Sequence, residues 1–149
     1  MWNDLKGFTR LSRTRKLLLC ESLFALAIAR AAMASLPFRR IAAWLGTPGA
    51  VTPVTVAEED FFIAKEISWS VSAVARRVPW DSRCLAQALA ATAMLRRRGL
   101  EGTVSFGAGR KDSPDFDAHA WLRIGAFMVT GGPGHEQFKT FTTFARRRA

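Results

Sequence analysis

Cys84 and His119 are the residues of this chain whose types could do chemistry together. Cys84 lies in "WDSRCLAQALA" and His119 in "DFDAHAWLRIG". A thiol attacks a carbonyl as thiolate, and a helix N-terminus favours that anion through its unpaired backbone N–H groups and its dipole. The same N–H groups stabilise the oxyanion formed on attack. An imidazole beside the sulfur serves first as base and then as acid. Asp81 or Ser82 is expected to cap the helix, Arg83 adds positive charge, and Pro79 and Trp80 shape the turn leading in. Taken singly, a free cysteine is a small buried hydrophobe and a strand histidine a structural hydrogen-bonding group. Cys20, embedded in apolar helix, fits that bland role. His135, in the loop "GGPGHEQF", is expected to face solvent.

The elements that must position the pair follow from periodicity. A first helix runs from about Arg13 to Leu36. Pro37 breaks it, and "FRRIAAWL" forms a short second helix closed by Gly46. "TPGAVTPVT" is a connector. From Ala57 to about Val78, Ile63, Ile67, Val71, Val74 and Val78 recur at three- and four-residue steps, one buried helical stripe. Pro79 stops that helix. The next spans about Arg83 to Arg98, packs through Leu85, Leu89, Thr92 (or Ala88) and Leu95, and ends at Gly99. The period then changes to two. "GTVSFGAGRK", "AHAWLRIG" and "AFMVTGG" predict three antiparallel strands, with a hairpin near Gly125. In the second, Ala118, Ala120, Leu122 and Ile124 share one face, while His119, Trp121 and Arg123 share the other. The tail "HEQFKTFTTFARRR" has room for a short strand. Helices first and strands after give an α+β class: N-terminal helices and a central cysteine-bearing helix against a small antiparallel sheet.

The 149 residues, 49% of them hydrophobic, supply a core without disulfides or a structural metal. Two cysteines in unlike contexts are not a disulfide framework and suggest a reducing, cytoplasmic compartment. Two cysteines and two histidines in no ligand-like spacing argue against zinc. The net charge of +10 favours anionic partners. Its arginines fall in short separate clusters, however, and not in a tract interleaved with aromatics, which argues against a nucleic-acid groove and reads as a solvated basic surface. "LLLCESLFALAIARAAMASLPF" follows basic residues like a signal peptide and approaches membrane-spanning length. Glu21 and Arg30 interrupt it, so it reads as a mostly buried amphipathic helix, with a membrane-peripheral role as the alternative.

"SRCLAQALAATAMLRRRGLEGTVSFGAGR" followed by "DAHAWLRIGAFMV" resembles the lasso peptide biosynthesis B family. The likeness is to its stand-alone leader-peptidase form, with a transglutaminase-like, papain-related cysteine protease fold. Ser82-Arg83-Cys84-Leu85 opening a helix, "LRRRG" closing it, a strand holding Gly107, and Ala118-His119-Ala120-Trp121 carry the match. The resemblance implies a cysteine peptidase, without cofactor, that removes the leader from a ribosomally made precursor peptide (RiPP maturation). Cys84 would be the nucleophile and His119 the base. It further implies a separate small leader-recognition protein and an ATP-dependent, asparagine-synthetase-like lasso cyclase as partners. The chain itself has no phosphate-binding glycine loop. Residues 1–50 would be a helical lead-in and 51–149 the protease core.

One departure stands out. The family's orienting aspartate is expected after the hairpin, where this chain has Thr130, Gly131 and Gly132. Asp117 is one expected substitute, since it shares the strand face of His119. Glu136, a backbone carbonyl or nothing are the other options. Loss of a third member weakens catalysis without changing its type. Two other functions fit the same residues: transglutaminase-like acyl transfer to an amine, and a non-enzymatic membrane-peripheral scaffold.

Overall fold

The computed structural model describes residues 2–110 and 118–146. In chain order the elements are α1 (Trp2–Thr9), α2 (Arg13–Ser35), α3 (Phe38–Leu45), β1 (Thr47–Pro48), α4 (Glu58–Ala75), α5 (Cys84–Arg97), β2 (Thr103–Arg110), β3 (Ala118–Ile124), β4 (Phe127–Thr130), a 3-10 turn (His135–Gln137) and β5 (Phe138–Ala145). The class is the expected α+β. The sheet is larger than the three strands read from the sequence: five strands, all pairs antiparallel, in the order β1-β5-β2-β3-β4. The tail does form a strand, β5, and it lies inside the sheet between β1 and β2.

Helix α5 is the centre of the molecule. It contacts α2 and α4 as well as β3 and β4. Leu89, Thr92 and Leu95 are buried as the periodicity predicts, but so are Ala86, Ala88, Ala90, Ala91 and Met94. Leu85 is only partly buried. Alanine carries little hydrophobic signal in a periodicity pattern. Its small side chain lets helices and sheet close on α5 from several sides at interior packing density. The fully buried Leu26, Ile67, Val71, Met94, Leu95, Leu122, Val104 and Val129 fill the space around it. Within this core Ser22 Oγ donates to Ser70 Oγ at 2.8 Å, and Ser70 Oγ in turn bonds the Ile67 carbonyl at 3.0 Å. Two buried hydroxyls thereby tie α2 to α4 without a polar group left over.

The arginines that close α5 are structural and not simply solvated. Arg96 donates to the Trp44 and Leu45 carbonyls, both at 2.6 Å, satisfying the end of α3, and its guanidinium lies 4.6 Å from the Trp44 ring centroid. Arg97 and Arg98 both reach Glu21 on α2, at 3.0 Å and 2.7 Å. Glu21 is therefore not a mere break in an apolar run. The Arg98 hydrogen bond holds its carboxyl below the ordinary carboxylate range, against the opposing effect of burial. A lowered folded-state value means that the pair contributes stability above the unfolded carboxylate pKa and loses it as pH falls through the depressed value. Thermal unfolding of the wild type is expected to lose that contribution below about pH 4. A Glu21→Gln variant is expected to start lower at neutral pH and to lose correspondingly less on acidification.

Candidate active site

Cys84 is the first residue of α5, and Arg83 is its N-cap. The expected cap is displaced by one residue. Ser82 Oγ donates instead to the Ala75 carbonyl at 2.9 Å, tying the start of α5 to the end of α4. Asp81 Oδ1 accepts from the Arg83 backbone N–H at 3.2 Å. Neither side chain reaches into the helix, and α5 has no side-chain cap. Among the described residues, no side chain caps its first-turn N–H groups, which leaves them available to an oxyanion. The Ser82 carbonyl is fixed by Gln87 Nε2 at 2.8 Å. Arg83 is exposed, its side chain 3.2 Å from Asp81. The Trp80 indole N–H is buried with no acceptor among the described residues. Cys84 itself is half-buried and packs against the core. Cys20, expected to be an inert buried thiol, is exposed on α2.

His119 is the second residue of β3 and lies opposite Gly107 on β2. Its neighbours Ala120, Leu122 and Ile124 belong to the core, so by strand alternation its side chain leaves the other face. There it stacks with two rings: Trp121 lies 5.7 Å away, tilted 28°, and Phe138 5.0 Å away, tilted 27°. Gly107 is required beneath this stack. A Cβ there would sit 2.8 Å from Phe138 Cβ and 2.9 Å from the Trp121 ring. Thus the glycine noted in the sequence motif serves the tryptophan two residues past the histidine.

Among the described residues, the hydrogen-bond partner of His119 is a backbone carbonyl. Nε2 lies 2.8 Å from Gly131 O. A carbonyl only accepts, so Nε2 carries the proton in the neutral ring and Nδ1 keeps its lone pair. Gly131 has φ +68°, and a Cβ on it would lie 2.5 Å from the Ala120 carbonyl oxygen. Only glycine brings the chain this close to β3 in this conformation. Glu136 is turned instead toward His135, 3.5 Å away. His135 is not simply solvent-facing: Nδ1 bonds the Gly132 carbonyl at 2.6 Å and the ring lies 5.6 Å from Trp121. Asp117, the substitute expected from the sequence, lies outside the described residues. The Thr130 hydroxyl, adjacent to Gly131, is buried with no partner among the described residues.

Helix α5 and strand β3 are in contact, but Cys84 packs against the core side of β3 whereas His119 leaves the opposite face, so the structure does not bring the two side chains together. Among the described residues no hydrogen bond joins the two side chains. The Phe138 contact and the choice of carbonyl were the parts the sequence left undetermined. The run "TGGPG" was the one hint that backbone, and not a carboxylate, follows β4.

Residues 24–143 match the model of the transglutaminase-like superfamily, and the chain belongs to that superfamily. The matched span includes both Cys84 and His119, and begins within α2. The superfamily includes cysteine peptidases and acyl transferases. No curated protein and no solved structure matches the chain.

Proposed function

We propose that this protein is a cysteine peptidase that removes the leader from a lasso-peptide precursor, with Cys84 as nucleophile and His119 as base. The observation that carries the proposal is Cys84 as the first residue of a helix with no side-chain cap, within a domain of this superfamily. Nδ1 of His119 takes the thiol proton, and Sγ attacks the scissile carbonyl. The oxyanion is received by first-turn N–H groups of α5. The imidazolium returns its proton to the leaving amine, which departs as the core peptide. Water, deprotonated by the same nitrogen, then hydrolyses the thioester and releases the leader as an acid. The Gly131 carbonyl holds the ring and its tautomer through these steps, in the position a carboxylate would take. The reaction needs sulfur and imidazole within hydrogen-bond reach. No hydrogen bond joins them among the described residues, so substrate or the recognition protein must bring them together. The unpaired Trp80 N–H and Thr130 hydroxyl each cost about 1–3 kcal/mol. Buried polar groups without partners call for a functional explanation, and both stand close in sequence to the proposed machinery.

A separate leader-recognition protein and an ATP-dependent cyclase complete the proposed pathway. The test is incubation with a synthetic lasso precursor, with and without a leader-recognition protein, read by mass spectrometry. Two shortened peptides whose masses sum to the precursor plus one water are expected, faster with the recognition protein. An isopeptide adduct formed with loss of ammonia would instead favour acyl transfer.

A further inference from the structure

Helix α2 has two faces of different fate. Leu18, Ser22, Leu26 and Ala29 are buried against the rest of the fold. The opposite side is also apolar but uncovered. Leu17 is 66% exposed, Phe24 and Ile28 are each 68% exposed, and Cys20 shares that side. The surface continues past the α2–α3 corner through exposed Leu36, Phe38 and Trp44. Between α2, α3 and α5 it dips into an apolar recess of about 470 Å³, lined by Phe24, Ile28, Ile41, Trp44 and Met94 among others. A contiguous apolar face of this kind marks an interaction site.

Charge selects the occupant. Glu21 is the only acidic residue between Lys6 and Ala57, and it is neutralised by Arg97 and Arg98. Exposed Arg10 and Arg13 flank the apolar face at one end, and exposed Arg30, Arg39 and Arg40 at the other. A second copy would bring the same cations, on a chain of net charge +10, against this one. An anionic lipid surface complements both the apolar strip and its basic borders. By length and composition α2 is able to cross a membrane, yet its inner face is part of the core. It can therefore lie in the interface plane without unfolding the domain, whereas crossing would require removing it from the core.

We infer that the outer face of α2 and α3 docks this protein on an anionic membrane surface, with Phe24 and Ile28 inserted below the headgroups. The test is co-sedimentation of the full chain with phosphatidylcholine vesicles containing about one third phosphatidylglycerol, beside pure phosphatidylcholine vesicles. Binding to the anionic vesicles is expected to exceed that to neutral ones by about tenfold and to weaken with added salt. The double variant Phe24→Glu/Ile28→Glu changes only exposed positions and is expected to keep its circular dichroism spectrum. Its vesicle binding is expected to fall by about tenfold or more, and Arg39→Glu/Arg40→Glu is expected to lower anionic binding selectively. Equal binding of wild type and folded double variant would overturn the inference. So would a wild-type dimer, seen without vesicles and abolished by the same double variant, because the face would then belong to a second copy. None of these outcomes bears on peptide cleavage.

Discussion

Cys84→Ala is expected to abolish precursor cleavage, by at least about a thousandfold, because a nucleophile has no substitute in covalent catalysis. Removing only the sulfur at a half-buried helix start leaves the core cluster around α5 in place, so the fold is expected to survive with a small loss of stability. Cys20→Ala is the matched control. That thiol is exposed on α2, and cleavage by the variant is expected at the wild-type rate. Cleavage assays on the two purified variants, with circular dichroism to establish folding, decide the point. Persisting cleavage by folded Cys84→Ala would remove this cysteine from the mechanism.

Gly131→Ala has the second largest expected effect. The residue sits at φ +68°, and the new Cβ would lie 2.5 Å from the Ala120 carbonyl oxygen and 2.9 Å from Trp121 Cβ. The conformation alone costs roughly 1–2 kcal/mol for alanine. The clash is with backbone, so the turn after β4 must move and carry its carbonyl away from His119 Nε2. A displacement of about 1 Å in a positioned group can cost on the order of a hundredfold in rate. The expected result is kcat lowered by one to two orders of magnitude with KM little changed. A variant that loses stability but keeps kcat would show that the Gly131 carbonyl supports the fold and not the imidazole.

The order of the elements was legible because its signals are local. Pro37, Pro79 and Gly99 end helices, and the change of period after Gly99 marks the sheet. Cys84 at a helix start and His119 opposite the aliphatic row of β3 were legible for the same reason. What escaped the sequence depends on contacts distant along the chain. The tail strand β5 carries three threonines and reads weakly by itself, but it completes the sheet between β1 and β2. The burial of α5 on nearly every side is hidden by its alanines. Asp81 or Ser82 is expected to cap because each precedes a helix, yet the Ser82 hydroxyl bonds the Ala75 carbonyl and Asp81 accepts from the Arg83 N–H. The sequence leaves Asp117, Glu136, a backbone carbonyl or nothing as the orienting group, because it does not show which backbone carbonyl comes near His119. A carbonyl brought in by a left-handed glycine leaves no mark except the glycine.

The central claim, that Cys84 and His119 act as a pair, is tested most directly by the relative alkylation rates of the two cysteines. Cys20 is exposed and Cys84 half-buried, so accessibility alone predicts that Cys20 reacts first. Iodoacetamide labelling near neutral pH, quantified peptide by peptide by mass spectrometry, separates the two. If the histidine activates the thiol, Cys84 is labelled faster than Cys20 in the wild type, and its rate falls below that of Cys20 in His119→Ala. Labelling of Cys20 with Cys84 left unmodified, unchanged by His119→Ala, would contradict the pairing.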